Sequence, residues 1–228
     1  MSRIQPPEGL RTTMETPSGA TRIVLVRHGQ GEVNVSGRIG GHDTCSGLTD
    51  EGRRQVSAMA DRLAATGELA DAEVLMASRL ARAQETAAIL APALRRDPSE
   101  VVIDCDLCEL HPGVADGLLW EEYVEQFEPR DFDANPGDPF APGGESWNGF
   151  VDRVGQAMER IAGAQSGRLV VVATHAGVIE ASMLRLLAGS PEGGPHRRLR
   201  LQTAHASLTE WEHSDFGWRL KRYNDVHS

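Results

Sequence analysis

The chain has 228 residues, a quarter of them charged, and a formal net charge of −10 at pH 7. That length suits one α/β domain with a substantial core, and the acidic balance argues against general binding to nucleic acid or to a membrane surface. The three cysteines are odd in number and too few to staple a fold, which points to a reducing, cytoplasmic setting.

Residues 1–20 are polar, include Pro6 and Pro7 and show no period, so a flexible segment is expected ahead of a domain over 21–228. Having no apolar core, this segment does not read as a secretory signal. No run in the chain approaches the roughly 18 apolar residues of a spanning helix. Residues 23–26 (IVLV) form an apolar, β-branched run, the pattern of a buried strand, and the run stops at Arg27-His28-Gly29. Gly29-Gln30-Gly31 is not a dinucleotide loop: Asn34 stands where the third glycine belongs, and no helix is expected to follow at once. Residues 35–47 read as a glycine-rich loop carrying Arg38, His42 and Asp43, a pocket rim.

Thr49 should cap a helix whose stripe of Val56, Met59 or Ala60, and Leu63 runs to Gly67. A second strand is expected over 72–77, ending at Ser78. The helix that follows, from near Arg82 to Pro98, aligns Ala83, Ala87, Leu90 and Leu94. Arg82 lies one turn past a strand end, whereas Arg95 and Arg96 should be solvated. A third strand is expected over 101–104. Cys105 and Cys108 then form a C-x-x-C, but it closes a strand rather than opening a helix. No second cysteine pair completes a zinc site, so both read as ordinary thiols.

Residues 109–145 are rich in Pro, Gly and Asp and should form a partial cap, with a short helix through Trp120, Tyr123, Val124 and Phe127. A long helix follows, with Trp147, Phe150, Val151, Val154, Met158 and Ile161 on one face. Leu169–Thr174 (LVVVAT) is a second strongly apolar strand, delivering His175, Ala176 and Gly177. A helix over 178–187, a basic loop at 191–200 and two strands around 214–217 close the chain. Alternating strands and helices indicate an α/β fold, a three-layer sandwich with a mainly parallel central sheet and a small cap.

Two buried strands each ending in histidine, with Arg27 beside the first, converge on one sheet edge, where open α/β sheets bind ligands. Guanidinium forks match phosphate oxygens, so Arg27 and Arg82 suit phosphoryl transfer. His28 suits the nucleophile if neutral, with its second nitrogen held by a backbone carbonyl, and the neighbouring arginines favour that neutral form. His175 would donate to the phosphoryl group.

Six blocks carry a more specific resemblance. They are Arg27-His28-Gly29 with Glu32 and Asn34; residues 47–52 (GLTDEG); 78–86 (SRLARAQET); Leu107 and Glu109 with 113–117; 142–146 (PGGES); and 174–177 (THAG). Their residues and order resemble the histidine phosphatase superfamily, also called phosphoglycerate mutase-like, over roughly residues 21–223. The resemblance implies phosphohistidine formation on His28 and a phosphate pocket of Arg27, Asn34, Arg82 and His175. It also implies that Glu109 is proton donor to the leaving oxygen and then base for water. Gly29, Arg38, His42 and Ala176 join these as candidate substrate-binding residues.

The chain departs from the family pattern at Gln30 and Gly31, which replace an acidic residue and a threonine, and at Ala115-Asp116, which replace Trp-Glu. These changes bear on substrate preference. The expected function is metal-independent hydrolysis of a small-molecule phosphate ester by a monomer or homodimer, with no cofactor and no carboxylate cluster for Mg²⁺. The alternatives are a phosphoglycerate mutase and a non-catalytic phospho-ligand-binding relative. Against the mutase, Leu110 interrupts the Glu-Arg-His-Tyr-Gly block of that branch. Against the non-catalytic relative, both His28 and Glu109 are present.

Overall fold

The computed structural model describes residues 19–127, 131–132, 134–188 and 201–226. The basic loop at 191–200 and all but the last two residues of the expected flexible segment lie outside the described residues; Ala20 is already buried.

The strands are β1 (Thr21–Arg27), β2 (Val74–Ala77), β3 (Val102–Ile103), β4 (Leu169–Thr174), β5 (Leu208–Ser214) and β6 (Gly217–Asp225). They form one sheet in the order β3-β2-β4-β1-β5-β6. The first four strands run parallel, whereas β5 pairs antiparallel with β1 and with β6. The α-helices are α1 (Glu32–Val35), α2 (Asp50–Thr66), α3 (Ala81–Leu90), α4 (Trp120–Gln126), α5 (Trp147–Ala164) and α6 (Ala176–Ala188).

Three layers follow from the period of two along the central strands. Val24 and Val26 of β1, with Val171 and Ala173 of β4, pack against Val56, Met59 and Leu63 of α2 and Ala83, Ala87 and Leu90 of α3. Their neighbours Ile23, Leu25, Val170 and Val172 face the other way, against Phe150, Val154 and Met158 of α5 and Val178 and Ile179 of α6. Strands apolar at every position are thus buried on both faces, as in doubly wound sheets. A small third cluster joins Ala115, Tyr123 and Ala141 to Ile39, Phe127 and Phe140, and so ties the 109–145 segment to the loop before α2.

Local signals set the boundaries. The Thr49 hydroxyl accepts from the Gly52 amide at 3.0 Å, and Gly67 ends α2 at φ 67°. Four expectations need correction. A single helical turn, α1, does follow Gly31, because the Asn34 side chain accepts from the Gly31 amide at 2.8 Å and stabilises the turn. β2 begins at Val74 rather than at residue 72. β3 is only two residues long and half exposed at the sheet edge, since the Asp104 carboxylate accepts from the Asp106 amide at 2.9 Å and starts a 3₁₀ turn. α3 stops at Leu90, and the run to Leu94 is a 3₁₀ turn containing Pro92. Among the described residues, no helix is long and apolar enough to cross a membrane.

Candidate active site

The parallel strands deliver their C-terminal ends to one edge: His28 follows β1, Ser78 follows β2 and His175 follows β4. A cavity of about 310 Å³ opens there. Arg27, His28, Asn34, Arg82, Glu109 and Ala176 all line it.

His28 is 3% exposed. Its Nδ1 lies 2.6 Å from the Gly29 carbonyl oxygen, an acceptor only, so Nδ1 carries the hydrogen and Nε2 keeps its lone pair. Arg82, in the first turn of α3 and itself 3% exposed, donates its Nε–H to that Nε2 at 3.1 Å. Burial first, then the Arg82 charge, holds the His28 pKa well below the usual imidazole range. Sequence reasoning credited the neutral form to arginines; desolvation is the larger cause.

The His175 ring lies 5.1 Å from that of His28 between centroids. Its Nε2 meets the Ser78 hydroxyl at 2.6 Å, while Nδ1 is buried without a partner. Burial again lowers its pKa far below the ordinary value, followed by Arg82 and His28. Glu109 faces this group from the segment after β3. Its Oε2 accepts from the Gly177 amide at 3.0 Å, and Oε1 from the Leu110 amide at 3.1 Å. A Cβ at residue 177 would stand 2.0 Å from Oε1, so only glycine admits the carboxylate here. Asn34 spends Oδ1 on the Gly31 amide, which leaves its NH₂ as the donor for a ligand. Arg38 reaches the rim, where its NH1 donates to the Gly117 carbonyl at 2.7 Å.

Two candidates stand elsewhere. Gly29 lies beneath the cavity against α2, where a Cβ would come within 2.4 Å of the Gly52 carbonyl; its contribution is the carbonyl that sets the His28 tautomer. His42 points away from the cavity, toward Cys105 and His111. The reason is that Asp116 accepts from the Gly41 and Asp43 amides on either side of it, at 2.8 and 2.9 Å, and turns the loop outward. Among the described residues, His42, Cys105, Cys108 and His111 are the group that could hold a metal ion. The sequence shows no second ligand pair beside the C-x-x-C; the structure brings His42 and His111 next to it.

Three contributors were not singled out in the sequence. Ser78 entered only as a strand end and as the start of the 78–86 block, with no role of its own, although its polar side chain there was a usable signal. Cys45 accepts from Arg82 NH1 at 3.2 Å. His205, from the loop before β5, accepts from Arg27 NH2 at 2.9 Å, and its ring lies 5.8 Å from that of His28. Burial and then Arg27 lower the His205 pKa to about 4.

These shifts set a pH dependence. When the folded-state pKa is depressed, the unfolded chain binds more protons below its own value of about 6.5, so stability falls as the pH drops. For His205 the loss runs from about 6.5 down to about 4. The melting temperature should therefore fall between pH 7 and pH 5, and less steeply in His205→Gln. An identical slope in the variant would mean that His205 is not held neutral in the folded protein.

Comparison with known proteins agrees with this fold. The family model described as histidine phosphatase superfamily (branch 1) matches residues 23–226. A metal-independent phosphoserine phosphatase of Arabidopsis thaliana is 35% identical over 217 residues, covering 93% of this chain and 85% of that protein. The structure of a mycobacterial glucosyl-3-phosphoglycerate phosphatase in complex with VO₃ is similar at a TM-score of 0.71 and 27% identity, over 90% of this chain and 99% of that one. YhfR of Bacillus stearothermophilus reaches 0.75 at 26% identity, over 91% and 98%.

Proposed function

The chain belongs to the histidine phosphatase superfamily, and from that premise we propose that it hydrolyses small phosphate monoesters through a phosphohistidine on His28, without a metal. The observation that carries this reading is the His28 ring, with its tautomer set by the Gly29 carbonyl and its lone pair turned to Arg82.

The phosphate dianion enters between Arg27 and Arg82, whose guanidinium groups neutralise the non-bridging oxygens. It takes over the Arg82 donor that meets His28 Nε2 in the free protein. Nε2 attacks phosphorus in line, the bond to the ester oxygen breaks, and Glu109 protonates that oxygen as it leaves. Water then attacks the phosphohistidine, gives its proton to Glu109 and releases inorganic phosphate and neutral His28. The Ser78 hydroxyl orients His175 through Nε2, so that its unpaired Nδ1, when protonated, donates to the phosphoryl group.

The remaining wall is apolar and aromatic, with Val33, Ile39, Trp120, Phe132 and Phe140, and Arg38 stands at the rim. It suits a compact ester whose polar end reaches that arginine, as phosphoserine or a phosphoglycerate derivative would. Cys45, Cys105 and Cys108 form no disulfide, which fits a cytoplasmic setting.

The test is phosphate release from phosphoserine, 3-phosphoglycerate and glucosyl-3-phosphoglycerate by EDTA-treated protein. Turnover of at least one ester, with no stimulation by Mg²⁺, is expected. Three results would overturn the reading: activity that only Mg²⁺ restores, movement of phosphate between glycerate carbons faster than its release, or binding with no turnover.

A further inference from the structure

We propose that His42, Cys105, Cys108 and His111 form a tetrahedral zinc site, separate from the phosphate pocket, that fastens the rim loop to the segment bearing Glu109. The candidate ligand atoms all lie within 4.8 Å of one another. Cys105 Sγ stands 3.7 Å from Cys108 Sγ and 3.9 Å from His42 Nε2. A tetrahedral Zn²⁺ with Zn–S bonds of about 2.3 Å and Zn–N bonds of about 2.0–2.1 Å sets two sulfurs roughly 3.8 Å apart, and sulfur and nitrogen roughly 3.6 Å apart. These two edges are thus already close to those of a coordination polyhedron. The imidazoles of His42 and His111 meet edge to face, with centroids 4.6 Å apart and planes at 78°.

The donor chemistry points the same way. Two thiolates and two neutral imidazoles cancel the charge of Zn²⁺, so the assembled site is neutral and can be partly buried. Cys105-x-x-Cys108 has a common spacing for one half of such a site. His111 Nε2 is buried without a hydrogen-bond partner, an arrangement that costs free energy unless something accepts its lone pair.

The supporting contacts are independent of any ion. Asp116 holds the amides on both sides of His42. Arg153 NH1 donates to the carbonyls of Asp106 and Cys108 at 2.8 and 3.1 Å, which fixes the turn that carries the thiols. The His111 carbonyl accepts from the Glu145 amide at 2.8 Å. Such outer contacts orient metal ligands and preorganise a site. Four protein ligands leave no open coordination position, so the ion is structural and takes no part in hydrolysis. Its reach matters because Glu109 lies between Cys108 and His111, while His42 shares its loop with Arg38.

The test is a zinc titration of EDTA-stripped protein in a phosphine reductant, against a chromophoric chelator. One equivalent should bind with sub-micromolar affinity. Cys105→Ser/Cys108→Ser should remove it, and His42→Ala, at an exposed position, should weaken it by about tenfold or more. Co²⁺ should give a thiolate charge-transfer band in the near ultraviolet and the visible bands of tetrahedral cobalt. The proposal is overturned if no zinc binds more tightly than roughly 100 µM under these conditions, well short of the affinities of structural zinc sites. It is equally overturned if the double serine variant binds zinc unchanged, which would put the ion on the histidines of the phosphate pocket.

Discussion

Replacing His28 by alanine should abolish turnover, with a loss on the order of 10⁴-fold or more, the scale on which removing a covalent nucleophile acts. That corresponds to about 5.5 kcal/mol of transition-state stabilisation. No neighbour can substitute. His175 is tied to Ser78 through Nε2, and His205 is tied to Arg27 through Nε2. Because the ring is buried and its pKa is pushed down chiefly by burial, the wild-type nucleophile stays neutral throughout the physiological range. The alanine variant should still fold, since Gly29 holds its place against α2 through backbone packing; a thermal melt checks this. Hydrolysis by a folded variant within about tenfold of wild type would remove His28 from the mechanism.

The second large effect concerns Glu109. A carboxyl that protonates the leaving oxygen matters most when that oxygen is a poor leaving group. Glu109→Gln should therefore cost about 10²-fold on an alkyl phosphate such as phosphoserine, within the range of general acid catalysis. On p-nitrophenyl phosphate, whose phenolate departs without a proton, the loss should be below about tenfold. The substitution keeps the shape of the side chain, and the glutamine carbonyl can still accept from the Gly177 amide. Equal losses on both substrates would make Glu109 a positioning group for the loop. Asp116, the other nearby acid noted in the sequence, is already engaged by the Gly41 and Asp43 amides of the rim loop.

What could be read in advance follows from where each group sits. Arg27, His28 and His175 close apolar strands, and their strand ends must meet at one edge of a parallel sheet; β1 and β4 do pair in register from Arg22↔Leu169 to Arg27↔Thr174. Arg82 was placed by the strand before it. Glu109 and Asn34 came from the resemblance to a family, since a lone glutamate after a short strand carries no signal of its own. His205 was out of reach: it enters through a loop whose conformation depends on β5 lying antiparallel beside β1. The His42 pairing was equally hidden, because Cys105 lies 63 positions further along the chain. The Asp116 contacts turn the rim loop toward Cys105. The short, exposed β3 and the single turn α1 depend on side-chain caps, which apolar periodicity does not register.

The central claim is that the phosphoryl group passes through His28, and rapid acid-free quenching during turnover tests it most directly. Protein mixed with ³²P-labelled substrate and denatured in alkali within milliseconds should carry label that survives base and is released by acid, as expected of a phosphoramidate, and that maps to the peptide containing His28. The account predicts this label in wild type, a larger amount in a variant that slows dephosphorylation such as Glu109→Gln with an activated ester, and none in His28→Ala. Steady turnover by wild type with no labelled protein at any time, or label on a peptide lacking His28, would contradict it.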